Sequence, residues 1–198
     1  MSRVVYNSLL ALLSPLLVPL FLWRRAKGKE PAWAERVGNL PTVSKTKELS
    51  VWVHAVSVGE VMAAVPLLRE LRKRHPEAQI TLSTTTSGGR EVALQRSEPD
   101  RVVAFPLDLP WVDTKSLEAI QPDLILLMEW EIWPNFLFAA RRQGAKVAVL
   151  NGRVSDKGLR RGLKMRWLLG DALTYVDLFA MQSDEDRRRA IAVGAPEE

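Results

Sequence analysis

Hydrophobic and polar positions follow two rhythms along most of the chain. Short runs such as 124–128 and 147–150 are apolar on consecutive residues, which is typical of strands covered on both faces. Between the runs, apolar residues recur every three or four positions, which predicts amphipathic helices. The predicted strands are 50–57, 79–85, 101–106, 123–128, 146–150 and 177–181, and the predicted helices are 60–75, 89–97, 113–120, 134–143, 157–173 and 184–193.

Regular alternation of strand and helix predicts a parallel, doubly wound, Rossmann-like α/β sheet over residues 50–198. Ligands of such sheets bind beyond the carboxyl ends of the strands. We therefore expect the chemistry of this domain to lie in its strand-to-helix turns.

The N-terminal segment has a different pattern. Residues 4–23 are uncharged and mostly apolar, and basic residues follow at 24–29. About 20 apolar residues suffice for a helix to cross a bilayer, and the basic flank favours a domain on the cytoplasmic side. We predict a membrane anchor over residues 1–30 and a polar linker over 31–49. Pro15 and Pro19 leave a kinked or in-plane anchor as the alternative to a straight span.

Composition and charge narrow the function. The 198 residues include no cysteine and two histidines, which excludes a disulfide scaffold, a thiolate nucleophile and a Cys-ligated metal site. The net charge of +5 suggests nucleic acid, but residues 1–47 carry eight Lys/Arg against two Glu, whereas residues 48–198 carry 20 basic and 21 acidic residues. A nearly neutral domain argues against a nucleic-acid partner.

The first predicted turn contains Ser57, Gly59 and Glu60. Gly59 allows a tight turn and close approach of a ligand, and Glu60 puts a carboxylate at the mouth of the sheet. The alternative is a capping box, in which the Ser57 side chain accepts from the Glu60 amide and the glutamate binds back to the cap amide.

The second turn combines hydroxyl groups, two glycines and an arginine at a predicted helix start. Thr85, Thr86 and Arg90 could hold an anion such as a phosphate or a sugar acid. A plain helix cap is the alternative.

The third turn carries two carboxylates one residue apart, Glu129 and Glu131, beside Trp130 and Trp133. Alternate residues of an extended segment point to opposite sides, so we expect different roles for the two carboxylates. The tryptophans offer flat faces for sugar rings or acyl chains. The alternative is a pair of charges at a helix start beside core tryptophans.

The fourth turn, Asn151 to Ser155, contains Arg153, whose guanidinium can pair with a phosphate or a carboxylate. Beyond it, residues 157–173 form a basic helical face that is either solvated or in contact with anionic lipid.

Taken together, these turns resemble a known family. The segments HAVSVGE, STTTSGGRE, PLDLP, MEWEIWPN, NGRVS and VGAP are similar in order and spacing to the 3-deoxy-D-manno-octulosonic acid (Kdo) transferases of lipid A assembly. The resemblance implies the N-terminal, acceptor-side half of an inverting GT-B glycosyltransferase that needs no metal or cofactor. The implied reaction moves Kdo from CMP-Kdo to a glucosamine hydroxyl of the lipid A precursor at the cytoplasmic face of the bacterial inner membrane.

The resemblance also implies that Glu60 is the general base and that Glu129 and Glu131 lie at the active-site cleft. Ser57, Gly59, Thr85, Thr86, Arg90, Asn151 and Arg153 are the further substrate-binding candidates. Three positions depart from the family pattern, Trp130, Ser87 and Gly152. The family continues into a second, donor-binding domain, so we expect the 198 residues alone to have little or no activity. A non-catalytic acceptor-binding module and a GT-B enzyme with another donor are the alternatives.

Overall fold

A computed structural model describes residues 2–26, 32–42, 49–96 and 99–197. The described strands form a single sheet with exclusively parallel pairings. They are β1 (Ser50–His54), β2 (Gln79–Thr84), β3 (Arg101–Ala104), β4 (Leu124–Met128), β5 (Lys146–Gly152) and β6 (Leu178–Met181). The described helices are α1 (Ser2–Ala26), α2 (Trp33–Arg36), α3 (Val58–Arg74), α4 (Ser87–Arg96), α5 (Pro110–Ile120), α6 (Pro134–Arg142), α7 (Asp156–Leu173) and α8 (Asp184–Val193).

The strand order confirms the predicted doubly wound sheet. Across the sheet the strands run β3-β2-β1-β4-β5-β6, so the order reverses between β1 and β4. These two strands pair in register from Val51 with Leu124 to His54 with Leu127. The reversal opens a crevice beyond the carboxyl ends of the two strands, which is where such sheets bind ligands.

Alternate residues of β1 pack into two separate hydrophobic cores, one on each face of the sheet. Val51 and Val53 pack on one face of the sheet with apolar residues of α3 and α4, including Leu68. Trp52 packs on the other face against Phe105 and Phe136. Burial on both faces explains why the strand sequences are continuously apolar, because no position of a central parallel strand faces water.

Two predicted boundaries were wrong by about three residues. β1 ends at His54 rather than at residue 57, because Ser57 is already the N-cap of α3. α5 begins at Pro110 rather than at residue 113, since proline is favoured in the first helical turn, where its missing N–H costs no hydrogen bond.

The N-terminal segment is helical, but the predicted spanning anchor is not supported. Among the described residues, no helix is both long enough and apolar enough to cross a membrane. The first turns of α1 instead bind the domain: Arg3 and Asn7 donate to the Asn135 side chain at 3.2 and 3.0 Å, and Tyr6 donates to Asp108 at 2.7 Å. The basic side chains predicted at residues 24–29 lie outside the described part.

Asp108 joins α1 to the start of α6. Its carboxylate accepts the Tyr6 hydroxyl and the Phe136 amide, the latter at 2.9 Å. The amides of a first helical turn have no partner within their own helix, so this carboxylate caps α6 from a distant loop. Glu131 lies in the segment directly before α6, so the cap that fixes the start of α6 also helps to position Glu131.

Part of the segment predicted as a linker is packed on the domain. Residues 32–42 contain α2, and Leu40 is buried in the core that holds Trp52. Glu35 of α2 accepts the Ala104 amide at the end of β3.

A second buried acid, Asp113 of α5, lies beside Asp108. Burial first, and then the charge of Asp108 and a hydrogen bond to it, raise the pKa of Asp113 to about 10. Asp113 therefore carries a proton in the folded protein at neutral pH, whereas an unfolded aspartate has lost its proton above about pH 4. Because the folded state binds the extra proton, the free energy of unfolding falls as the pH rises between these two values.

We predict that Asp113→Asn removes this pH dependence, since the amide resembles the protonated acid. The free energy of unfolding of the unmodified chain should fall relative to that of the variant as the pH rises. The difference should change by up to about 1.4 kcal/mol per pH unit between pH 5 and 8. Urea unfolding followed by circular dichroism at several pH values measures it. Glu118→Gln, at an exposed position of the same helix, is the control. Parallel stability curves for Asp113→Asn and the unmodified chain would contradict the prediction.

Candidate active site

The ends of three adjacent strands bring the predicted carboxylates and Arg153 together. Glu60 follows β1, whereas Glu129 and Glu131 follow β4, its neighbour in the sheet. Arg153 follows β5, on the other side of β4. Thus three of the four predicted turns meet at the crevice where the strand order reverses.

The Ser57 turn forms the predicted capping box, with one difference. The Ser57 hydroxyl oxygen accepts from the Glu60 amide, and the hydroxyl itself donates to Glu60 Oε1 at 2.9 Å. Glu60 Oε2 accepts the amide of Val56, the residue before the cap, at 2.9 Å. These bonds fix a nearly buried carboxylate, 8% exposed, at the N-terminus of α3. Capping and a chemical role are compatible, because a general base has to be held in place.

Gly59 is not needed for the tight turn that was predicted, and the predicted close approach of a ligand stays a prediction. It lies in the first turn of α3, and a Cβ built on it would meet no atom closer than Ser57 Oγ at 3.9 Å. The turn does not require glycine. The glycine instead leaves the space above the helix start open, next to Glu60.

Glu129 has a backbone conformation that is uncommon for a side-chain-bearing residue. Its φ of 58° is in the left-handed region, and its amide continues the sheet by donating to the Leu150 carbonyl at 2.9 Å. Asn151, which follows Leu150 in β5, has a φ of 55°. Left-handed residues cost free energy and occur preferentially at functional sites. Two of them side by side mark this edge of the sheet.

The electrostatics of the three carboxylates are coupled. Burial raises the pKa of Glu129, the charge of Glu60 raises it further, and the charge of Arg153 lowers it. Burial likewise raises the pKa of Glu131 to about 7, opposed by a hydrogen bond from Trp133 Nε1 at 2.9 Å and increased by the charges of Glu60 and Glu129. Such an elevated pKa is typical of carboxyl groups that exchange protons at functional sites.

His54, the last residue of β1, is a site residue that the sequence analysis did not single out. Its ring is fully buried and stacked on Phe105 with centroids 3.8 Å apart. Nδ1 lies 3.0 Å from Ser83 Oγ, and Nε2 lies 3.9 Å from Glu131 Oε2. The available signal was a polar residue that follows the apolar run 51–53, shortly before the Ser57 turn.

The second turn supports the helix-cap interpretation rather than the anion cradle. Thr86 Oγ1 accepts the Gly89 amide and donates to the Val56 carbonyl, both within 3.1 Å. A Cβ on Gly89 would lie 3.0 Å from that carbonyl, so the glycine lets α4 pack on the first turn. Arg90 binds Glu35 through two hydrogen bonds of 2.9 and 3.1 Å. Thr85 is half-buried beside this turn, and its amide donates to the Val56 carbonyl.

The fourth turn presents Arg153 to solvent. Its side chain is exposed, and its charge acts on Glu129 and on Asp186. Asn151 is also exposed, and its carbonyl accepts from the Gln182 side chain. Gly152 is a packing requirement, because a Cβ there would come within 2.4 Å of Met181 Sδ.

Both tryptophans of the third turn have partners within the protein. Trp130 packs on Phe179, with ring centroids 6.0 Å apart, at the edge of a small cluster with Val154. Trp133 packs against Phe105 while it donates to Glu131. Their contacts favour a supporting role over a flat platform for a ligand.

A parallel sheet of this order, with carboxylates at its reversal, is a Rossmann-like domain similar to the halves of GT-B proteins. A family model described as 3-Deoxy-D-manno-octulosonic-acid transferase (kdotransferase) matches residues 31–198. The chain belongs to this family of glycosyltransferases.

Similar proteins agree with this assignment. The 3-deoxy-D-manno-octulosonic acid transferase of Bordetella pertussis is 35% identical over 98% of this chain, and that of Haemophilus influenzae is 31% identical over all of it. The chain spans about half the length, 47%, of each relative.

Solved structures support the fold. The UDP-GlcNAc 2-epimerase of Neisseria meningitidis matches 75% of this chain with a TM-score of 0.53 and 13% identity, over 44% of its own length. The UDP-N-acetylglucosamine 2-epimerase of Rickettsia bellii matches 76% with a TM-score of 0.52 and 16% identity, over 43% of its length. At these identities the likeness concerns the fold alone.

Proposed function

We propose that this chain is the acceptor-side half of an inverting Kdo transferase of lipopolysaccharide biosynthesis. In the proposed reaction, Glu60 takes the proton of a glucosamine hydroxyl on the lipid A precursor. The hydroxyl oxygen then attacks the anomeric carbon of Kdo, and CMP leaves. A carboxylate within hydrogen-bond reach of a hydroxyl can act as its base, and this displacement needs no enzyme nucleophile.

The observation that carries the proposal is the placement of Glu60. Its carboxylate is held by Ser57 and the Val56 amide at the reversal of the strand order, beside the open space above Gly59. Kdo is proposed as the transferred sugar because the similar proteins are named as Kdo transferases. The role of general base is proposed from the position of the Glu60 carboxylate.

Arg153 is the proposed contact for a phosphate or carboxylate of the substrates. It is exposed at the crevice and acts electrostatically on Glu129. Arg90 supports the site indirectly, because its guanidinium is bound to Glu35 and its neighbour Gly89 packs against the first turn.

We further propose that α1 associates with the cytoplasmic face of the inner membrane. The helix would lie in the plane of the membrane. While Arg3, Tyr6 and Asn7 bind the domain, Leu12 and Leu16 are 75% and 72% exposed one turn apart. An exposed apolar stripe on a helix is typical of interfacial binding. An amphiphilic acceptor would then meet the enzyme in the plane of the membrane.

Flotation with vesicles of phosphatidylethanolamine and phosphatidylglycerol tests the membrane association. The Leu12→Asp, Leu16→Asp double variant should bind at least about tenfold more weakly, because each buried leucine contributes roughly 1.5–3 kcal/mol. Leu94→Asp on α4 is the matched control, since Leu94 is also exposed, at 64%. Equal binding by the double variant and the control would contradict the proposal.

The transferase reaction is tested with purified protein, CMP-Kdo and lipid A precursor. We expect no turnover from the 198 residues alone, because they span 47% of the length of each relative. Turnover should appear when the C-terminal half of the Bordetella pertussis relative is supplied. Robust turnover by the chain alone would refute the inactive-half part of the proposal.

In the rebuilt enzyme, Glu60→Gln should lower kcat by about 10²–10⁴-fold, the usual contribution of a general base. The amide oxygen of glutamine still accepts the Val56 amide, so the capping of α3 and the fold should persist, as thermal unfolding would verify. Glu91→Gln, an exposed glutamate of α4, is the control. A near-normal kcat for Glu60→Gln would reject Glu60 as the base.

Two other functions are separated by the same assay. Binding of the lipid acceptor without turnover, even beside a donor half, would favour a non-catalytic acceptor-binding module. Turnover with another sugar nucleotide in place of CMP-Kdo would favour a GT-B enzyme with a different donor.

A further inference from the structure

We propose that the buried ring of His54 accepts a hydrogen bond from protonated Glu131, so that the two side chains hold a proton beneath the candidate active site. His54 is then a positioning residue that acts through Glu131. The inference rests on the proposed function only for its biological meaning, because the pair is defined by contacts within this chain.

The tautomer of His54 follows from its neighbours. The Ser83 carbonyl lies 3.2 Å from Nδ1 and can only accept a hydrogen bond. Ser83 Oγ, 3.0 Å from Nδ1, accepts from Trp52 Nε1 and donates its own hydrogen to the Val53 carbonyl. Because the carbonyl can only accept, the proposal assigns the ring hydrogen to Nδ1, where both Ser83 oxygens can accept it. Nε2 then presents a bare lone pair.

This lone pair has no hydrogen-bond partner among the described residues, although it is fully buried. A buried polar atom without a partner costs about 1–3 kcal/mol. Glu131 Oε2, 3.9 Å from Nε2, belongs to the neighbouring group that can supply a hydrogen. Closing the gap to hydrogen-bond length takes a shift of about 1 Å in the Glu131 side chain.

The surroundings keep His54 neutral. Burial lowers the pKa of His54 to about 3, a hydrogen bond to the Ser83 backbone opposes this, and the charge of Arg36 on α2 lowers it further. The ring also stacks on Phe105, which is apolar. A neutral ring with hydrogen on Nδ1 can only accept at Nε2, and its lone pair repels an ionised carboxylate.

The surroundings of Glu131 favour its protonated form. Glu60 from α3 and Glu129 from the end of β4 are the charged groups acting on it, and both are negative. Trp133 Nε1 donates to Oε2 and is the opposing contact. Burial and the two negative charges raise the pKa of Glu131 to about 7, so a large fraction of the group is protonated at neutral pH.

A proton held on Glu131 changes what the crevice can bind. It removes one of three negative charges, which lowers the repulsion of an anionic donor. It also leaves Glu60 as the carboxylate that accepts a proton from the acceptor hydroxyl.

The unmodified chain gives the first test, by NMR of protein labelled with ¹⁵N-histidine and ¹³C-glutamate. We expect the ¹⁵N shifts of His54 to report hydrogen on Nδ1 from pH 5 to 9. The Nε2 signal should move with the same midpoint as the Glu131 carboxyl carbon. Hydrogen on Nε2, or an Nε2 signal that ignores the titration of Glu131, overturns the proposal.

The second test removes the nitrogen while keeping an aromatic ring against Phe105. In His54→Phe the pKa of Glu131 should fall by about one unit, equivalent to the loss of one hydrogen bond to the protonated form. A rise would mean that Nε2 had been a donor, and an unchanged pKa would mean no coupling; either overturns the proposal. His75→Phe, at the exposed second histidine, is the matched control.

Neither measurement depends on the other or on catalysis. If His54→Phe fails to fold, the histidine shifts of the unmodified chain still decide the tautomer and the coupling. Because no turnover is measured, failure of the transferase assay leaves the pair intact, and failure of the pair leaves the role of Glu60 intact.

Discussion

The parallel pairing of β1 with β4 is the constraint on which the site depends. These strands are far apart in sequence, yet they lie side by side from Val51 and Leu124 to His54 and Leu127. Their shared register makes them end together, and the helices that follow leave towards opposite faces of the sheet. The turn after each strand therefore opens into one crevice, with Glu60 on one side and Glu129 and Glu131 on the other.

Each carboxylate of this crevice has a different structural hold. Glu60 is fixed by the capping box of α3, Glu129 by a left-handed backbone next to β5, and Glu131 by Trp133 in a mostly buried position. Like charges gathered at a low-dielectric edge oppose one another's ionisation. This repulsion destabilises the folded domain at the edge where several of its helices begin. The packed apolar cores on both faces of the sheet offset it.

The sequence predicted much of the fold because strand and helix rhythms are local. The parallel sheet and the gathering of the strand-end turns both follow from that alternation. Partners distant in sequence were not predictable: the pairing of Arg90 with Glu35 joins residues 55 positions apart, and His54 approaches Glu131 from another strand. The same reason applies to α1, whose apolar composition indicated a membrane span but whose Tyr6 contacts Asp108, 102 positions away.

The cap on α6 makes the N-terminal helix part of the domain's framework. One carboxylate, that of Asp108, holds the Tyr6 hydroxyl and the amides at the start of α6, while Asn135 holds Arg3 and Asn7. Shortened versions that begin after Ala26 lose these donors to Asp108 and Asn135, next to the segment bearing Glu131. Removal of α1 to simplify handling of the protein would thus alter the surroundings of the crevice. A detergent that binds α1 would disturb the same contacts with Asp108 and Asn135.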